Sequence, residues 1–149
     1  MNNKNTIIVS VGIMFKEVGS KKKWLLVKKN GGEEWELPRI TVRKTESSAR
    51  AAIRMAGEQL ATNAQILEEV GRSGGVTTIN GRALSQRQLY YLMKSKSQAE
   101  EALAFVESEY MEYVKAYRKL TSKRDKQMLK AAKDEFKKWL NKKERVVLN

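Results

Sequence analysis

The sequence predicts an α/β fold in a single domain, with a basic helical part at its carboxy-terminal end. Three observations predict it. Two pairs of β-rich runs are each joined by a turn signal, one amphipathic helix lies between the pairs, and the composition changes after residue 97. At 149 residues the chain is long enough to bury a core without staples, so one domain spans 1–149. Within it, 6–96 supply the sheet and its helix, and 97–149 supply the helical basic part.

The first element is the apolar run Thr6 to Phe15. It follows Lys4 as a secretory leader would, but it runs into Lys16-Glu17 with no small-residue cleavage site and is far shorter than the roughly 20 residues that span a bilayer. The run therefore reads as a buried strand, and no other stretch approaches membrane length. The turn Glu17 to Lys21 and the run Trp24 to Val27 complete a hairpin. Trp35-Glu36-Leu37-Pro38 follows as extended chain, because proline pushes its predecessor out of the helical region.

Ser47 or Ser48 caps a helix over Ala49 to Leu60, with Ala52, Ile53, Ala56 and Leu60 on the buried face and Arg50, Arg54 and Glu58 elsewhere. Gln65 to Val70 is followed by a glycine-rich break at Gly71 to Gly75. Val76 to Ile79 and Gln88 to Met93 then flank Asn80-Gly81, a strong hairpin signal. From Gln98 onward, Ala99, Leu103, Val106, Tyr110, Tyr113, Val114 and Tyr117 fall at helical spacing. A second helix, with Leu129, Ala132, Phe136, Trp139 and Leu140 on one face, begins near Ser122, which with Asp125 can form its cap.

Composition narrows the chemistry. The chain has no cysteine and no histidine, which excludes disulfides, thiolate or imidazole zinc sites and imidazole acid-base catalysis. Catalysis would have to run on carboxylates, lysines, hydroxyls or a hard cation. The lack of cysteine is compatible with a cytoplasmic location. A net charge of +13 favours polyanionic partners, nucleic acid first among them.

The stretch from Leu37 to Thr62 has the layout of a catalytic cassette. The order of a Gly-Ser hairpin, Trp35-x-Leu37-Pro38, a loop and an amphipathic helix resembles the Nudix hydrolases. Their box reads G-x5-E-x7-R-E-U-x-E-E-x-G-U, with U aliphatic, and often follows a Trp-x-Leu-Pro lead-in. With Glu46 on the first glutamate and Arg54 on the arginine, the rest of the register follows without a gap. Ile40 falls on the opening glycine, Met55, Glu58 and Gln59 on the three helix glutamates, Ala61 on the closing glycine and Thr62 on the final aliphatic. The box is thus degenerate, lacking two glutamates and both glycines. The likeness covers about Thr6 to Met93 and weakens beyond Ser97, where the family returns to a strand.

The resemblance implies an α/β/α sandwich with a mixed sheet, and hydrolysis of a diphosphate linked to another moiety by Mg²⁺ or Mn²⁺ held on the helix glutamates. Three carboxylates at positions 55, 58 and 59 would converge on one patch suited to a hard ion. Glu58 alone remains as a candidate metal ligand and catalytic group. It is a poor basis for a clamp of several cations. Arg54 and Glu46 read first as a structural ion pair that holds the loop against the helix. Ile40, β-branched, disfavours the positive φ of a glycine-only turn, so the loop is expected to be reshaped.

Basic residues supply the second signal. Arg39, Arg43 and Lys44 line the altered loop, where the resemblance puts substrate phosphates, and Lys21, Lys22, Lys23, Lys28 and Lys29 flank the first hairpin. Arg118, Lys119, Lys123, Arg124, Lys126, Lys130, Lys133, Lys137 and Lys138 crowd the last third and could follow a phosphate backbone. The bland alternative is a solvated lysine face. Tyr90, Tyr91, Tyr110, Tyr113 and Tyr117 are assigned to the core ahead of base stacking, and Trp24, Trp35 and Trp139 to packing.

The leading functional reading is a Nudix-fold pseudoenzyme that binds nucleotides or RNA, including a ribonucleoprotein such as the ribosome, and requires no cofactor. A second is an active atypical hydrolase of nucleoside diphosphate derivatives using Mg²⁺ or Mn²⁺, with Glu58 helped by Glu68, Glu69, Glu100 or Glu101. A third is a protein-interaction scaffold built on the carboxy-terminal helices.

Overall fold

Strand β1 (Thr6–Val18) runs through the middle of a six-stranded mixed sheet of order β4-β5-β1-β2-β6, with β3 also paired to β1. The computed structural model describes residues 6–28, 32–96 and 107–148, with side chains of the last helix described to residue 141. β1 pairs parallel with β5 (Arg82–Ser95) and antiparallel with β2 (Lys21–Lys28) and β3 (Arg39–Thr41). A strand covered on both faces must be apolar on both, which is why Val11 to Phe15 read as a continuous run rather than an alternation.

The pleat divides the core into two layers. Val9, Val11, Ile13 and Phe15 of β1, Trp24 and Leu26 of β2, and Tyr90 and Leu92 of β5 face one side. There they pack with Ala116 of α2 (Tyr113–Lys119) and Leu129, Ala132 and Phe136 of α3 (Lys123–Leu148). Met14, Leu25, Val27, Tyr91 and Met93 face the other side, against Ala52, Met55, Ala56 and Leu60 of α1 (Ser48–Leu60). The result is an α/β/α sandwich. Among the described residues, no helix is long and apolar enough to cross a membrane.

Several expectations need revising. The face of α1 is rotated from the one expected: Ala51 and Met55 are buried, and Ile53 is 46% exposed. Ser10 and Gly12 of β1 let the helix approach closely, so Ser10 donates to the Ser48 carbonyl at 2.6 Å. A Cβ at Gly12 would lie 2.6 Å from Met55 Cε.

Gly71 to Gly75 do not break the chain. They lie inside β4 (Ala64–Ile79), whose ladder to β5 continues through register shifts at Ile66/Glu68 and Glu69/Gly71. Gly71 lets α3 come close there: a Cβ would lie 2.6 Å from Met128 Sδ, so the methionine would have to move.

The helix expected through Tyr110 is also corrected. β6 (Glu107–Met111) pairs with β2, so the sheet extends past residue 96, and α2 starts only at Tyr113. Helical spacing at Ala99, Leu103 and Val106 falls outside the described residues.

Turn chemistry holds as read. Gly19 has φ 63°, and Asn80 and Gly81 have φ 51° and 76°, the left-handed pair that a two-residue hairpin turn requires.

Candidate functional site

Ser47 caps α1 by accepting the Arg50 N–H, which fixes where the loop from β3 enters the helix. Ile40 sits in β3, paired to Ser10 and partly buried in the α1 layer. Its φ is not positive, so the opening of the box is a strand rather than a glycine turn. At the other end, Ala61 takes the left-handed C-cap at φ 49°, and its N–H bonds the Ala56 carbonyl. The glycine geometry survives there without the glycine.

Arg54 lies at the centre of the box. Its Nε and Nη2 donate to the two oxygens of Glu46 at 2.8 and 2.9 Å, and Nη2 also donates to the Thr41 carbonyl at 3.1 Å. Both side chains are 15% exposed. Glu46 also accepts the Arg43 N–H at 3.2 Å. The Arg54 hydrogen bonds are the main cause that holds the Glu46 carboxyl down at about 2, helped by the Arg43 N–H. In turn, Glu46 raises the Arg54 guanidinium. Arg54 and Glu46 thus tie the loop to the helix through a two-point ion pair.

Glu58 is joined to the same group. Arg54 Nη1 reaches it at 3.3 Å and Arg43 Nη2 at 3.8 Å. The lone helix glutamate of the box already faces two guanidinium groups.

Its companions offer nothing to a hard cation. Met55 is fully buried in the core. Gln59 supplies only a neutral amide, whose Oε1 is buried without a hydrogen-bond partner among the described residues. Glu69 is tied to Arg72. Among the described residues, no three Asp, Glu, Cys or His side chains gather as a metal site. Mg²⁺ and Mn²⁺ want several oxygen donors and net negative charge, so the residues present do not fit a cluster of divalent cations. Glu100 and Glu101 lie outside the described residues.

Beside the clamp lies an open cleft of about 500 Å³, lined by Val42, Glu46 and Ser48 from the box, Ile8 of β1, Arg72, Ser73 and Gly74 of β4, and Arg87, Gln88 and Leu89 of β5. Arg72, Ser73, Arg87 and Gln88 escaped the sequence reading. Strand periodicity does not mark them, and only the pairing Ser73↔Gln88 and Gly74↔Arg87 brings them to one rim.

Behind that rim runs a buried polar chain. Ser73 and Tyr90 donate to Gln88 Oε1 at 3.2 and 2.7 Å, and the Tyr90 hydroxyl lies 3.3 Å from Asp125 Oδ1. Burial and the Asp125 charge push the Tyr90 hydroxyl up to about 12. Asp125 Oδ2 accepts from Arg39 Nη2 at 2.6 Å and from the Leu37 N–H at 3.3 Å. Arg39, expected at the phosphates, is thereby engaged with a buried carboxylate. The cap of α3 is half the predicted box: Ser122 accepts the Asp125 N–H, while the Asp125 side chain turns to these tertiary partners.

The remaining basic residues divide between the two faces of the sheet. Arg43 and Lys44 precede α1, whereas Arg118 and Lys119 end α2, and the α3 residues pack on the opposite face of the sheet. Lys123, Lys126, Lys130, Lys133 and Lys137 recur at three- and four-residue spacing along one stripe of α3. Lys126 lies 5.2 Å from the Tyr117 ring and Lys133 lies 4.1 Å from the Tyr113 ring. Lys22 joins the stripe from β2, with Nζ 3.0 Å from the Phe136 ring centre. Burial, aided by Lys133 and Lys137, lowers it to about 8. Arg124 and Lys138 lie off the stripe, and Lys138 is paired with Glu135 at 3.5 Å.

Solved structures give the fold its name. The chain superimposes on an Ap4A hydrolase binary complex from C. elegans with a TM-score of 0.71 at 15% identity, covering 87% of this chain and 97% of that one. It superimposes on the Nudix domain of Shewanella oneidensis NrtR complexed with ADP ribose at 0.72 and 16% identity, covering 90% of each. This chain has the Nudix fold. A Nudix hydrolase structure from Listeria monocytogenes agrees, at 0.69 and 13% identity over 88% of this chain and 94% of that one. No family profile and no curated protein matches the sequence. On the Nudix fold, the sheet, the box helix and its arginine clamp are in place, and the carboxylate cluster of the box is not.

Proposed function

We propose that this protein is a hydrolytically impaired Nudix-fold module that binds RNA or a ribonucleoprotein through its basic helices, and nucleotides through its cleft. The observation that carries the reading is the state of Glu58: two arginines hold the one remaining helix carboxylate, and among the described residues no second or third joins it as a metal site. A divalent ion would have to displace both guanidinium groups and then find its other ligands elsewhere. The positive stripe of α3 supports the binding half, because lysines at this spacing can neutralise successive phosphates and release counterions. A cytoplasmic location belongs to the same reading.

The test has two arms. Purified protein with Mg²⁺ or Mn²⁺ is expected to show no Glu58-dependent turnover of nucleoside diphosphate derivatives. Turnover that Glu58→Gln abolishes would restore the active-hydrolase reading. Single-stranded RNA is expected to bind with a salt slope that falls by about 0.7 for each of Lys130→Ala and Lys137→Ala. Binding of a protein partner that is indifferent to salt, with no RNA binding, would favour the scaffold reading instead.

A further inference from the structure

We infer that the cleft between the box loop and the β4–β5 hairpin is a site for a nucleoside diphosphate bound without a divalent cation, with guanidinium groups supplying the positive charge that metal ions supply in a complete box. The inference rests on the impaired metal site and the cleft proposed above, and it adds the guanidinium groups that take the phosphates and the lack of a metal requirement.

The donor set gives the first argument. A diphosphate needs positive charge opposite it, and the box cannot gather cations because Met55 and Gln59 stand where carboxylates would. The rim carries Arg72 and Arg87. Arg87 is exposed and makes no ion pair among the described residues; Arg72, paired with Glu69, keeps most of its side chain in solvent, 70% exposed. Guanidinium groups bind phosphate oxygens in pairs through planar N–H donors and stay charged at any working pH. The acid of the cleft, Glu46, is compensated by Arg54, so it does not cancel the rim.

Shape gives the second argument. Gly74 pairs with Arg87, and a Cβ built there would meet only the Gln86 carbonyl, at 3.8 Å. The backbone is free of positive φ at this position, so conformation does not demand glycine. The missing side chain instead leaves the space over Arg87 open.

Ile8, Val42 and Leu89 give the cleft an apolar floor against which a base can lie. An apolar surface beside two cations suits a nucleotide.

Calorimetric titration with ADP, once in EDTA and once in excess Mg²⁺, tests the inference, with phosphate release followed in the same samples. Binding is expected in EDTA and no tighter with Mg²⁺, which competes for the same phosphate oxygens. Arg87→Ala is expected to weaken it about tenfold. Gly74→Val, a β-branched residue suited to a strand, is expected to block binding while keeping every charge. Arg82→Ala, which removes one positive charge away from the cleft, should change nothing.

Binding that appears only with Mg²⁺, no binding in either buffer, or indifference to both Arg87→Ala and Gly74→Val would overturn the inference. The two readings fail separately. Phosphate release with Mg²⁺ would sink the impaired reading, yet binding in EDTA through Arg87 would still stand.

Discussion

Asp125→Ala should cost far more than a surface charge deletion. The carboxylate is 2% exposed and binds Arg39 at 2.6 Å; Arg39 itself is 18% exposed. The substitution strands a half-buried guanidinium, leaves the Leu37 N–H without its acceptor and removes one acceptor from the Tyr90 hydroxyl. Breaking a buried ion pair from one side costs about 3–5 kcal/mol. Arg39 keeps a path to water, so the low end, about 3 kcal/mol, applies. With a urea m-value of about 2 kcal/mol/M, the unfolding midpoint should fall by about 1.5 M at unchanged m.

Replacing both partners tests the cause. In Arg39→Met with Asp125→Leu, no charge is left buried, and the double variant should be more stable than the sum of the single losses predicts, by at least about 1 kcal/mol. A single-variant loss below about 1 kcal/mol, or strict additivity, would refute the reasoning.

Two further predictions follow from the box. Ala61→Gly should stabilise the fold by about 1 kcal/mol, since Ala61 holds a left-handed cap at φ 49° that glycine adopts without Cβ strain; thermal unfolding measures it, and a lower midpoint would contradict the cap geometry. Glu46 is held at about 2 against an ordinary 4.5, so its contribution is fully present above pH 4.5 and is lost as pH falls through 2. In Glu46→Gln, stability should depend less on pH across that window, and the Glu46 carboxyl resonance should titrate near 2 in the parent protein.

The sequence made the local features legible because each is set by neighbouring residues. Gly19 and Asn80-Gly81 mark turns by their conformational freedom, Ser47 marks a cap by its hydroxyl, and the nine-residue span from Glu46 to Arg54 carries the clamp. The three glycines among residues 71–75 read as a break because glycine weakens a lone strand, whereas pairing with β5 and the close approach of Met128 accommodate them here. β6 was read as helix because five residues with one tyrosine fit either period, and only the free edge of β2 selects the strand.

By itself, the sequence determined that the box lacks two of its three helix glutamates, that the chain is strongly basic, and that a capped helix follows a Trp-x-Leu-Pro lead-in. Tertiary structure alone decided which charges are available. It buried Asp125 and with it took Arg39 from the loop, brought Arg43 to a Glu58 already one helical turn from Arg54, and set Arg72 and Arg87 on one rim. The physical reason is that the partner of a charge is chosen by distance and desolvation, and neither is written in the order of residues along the chain.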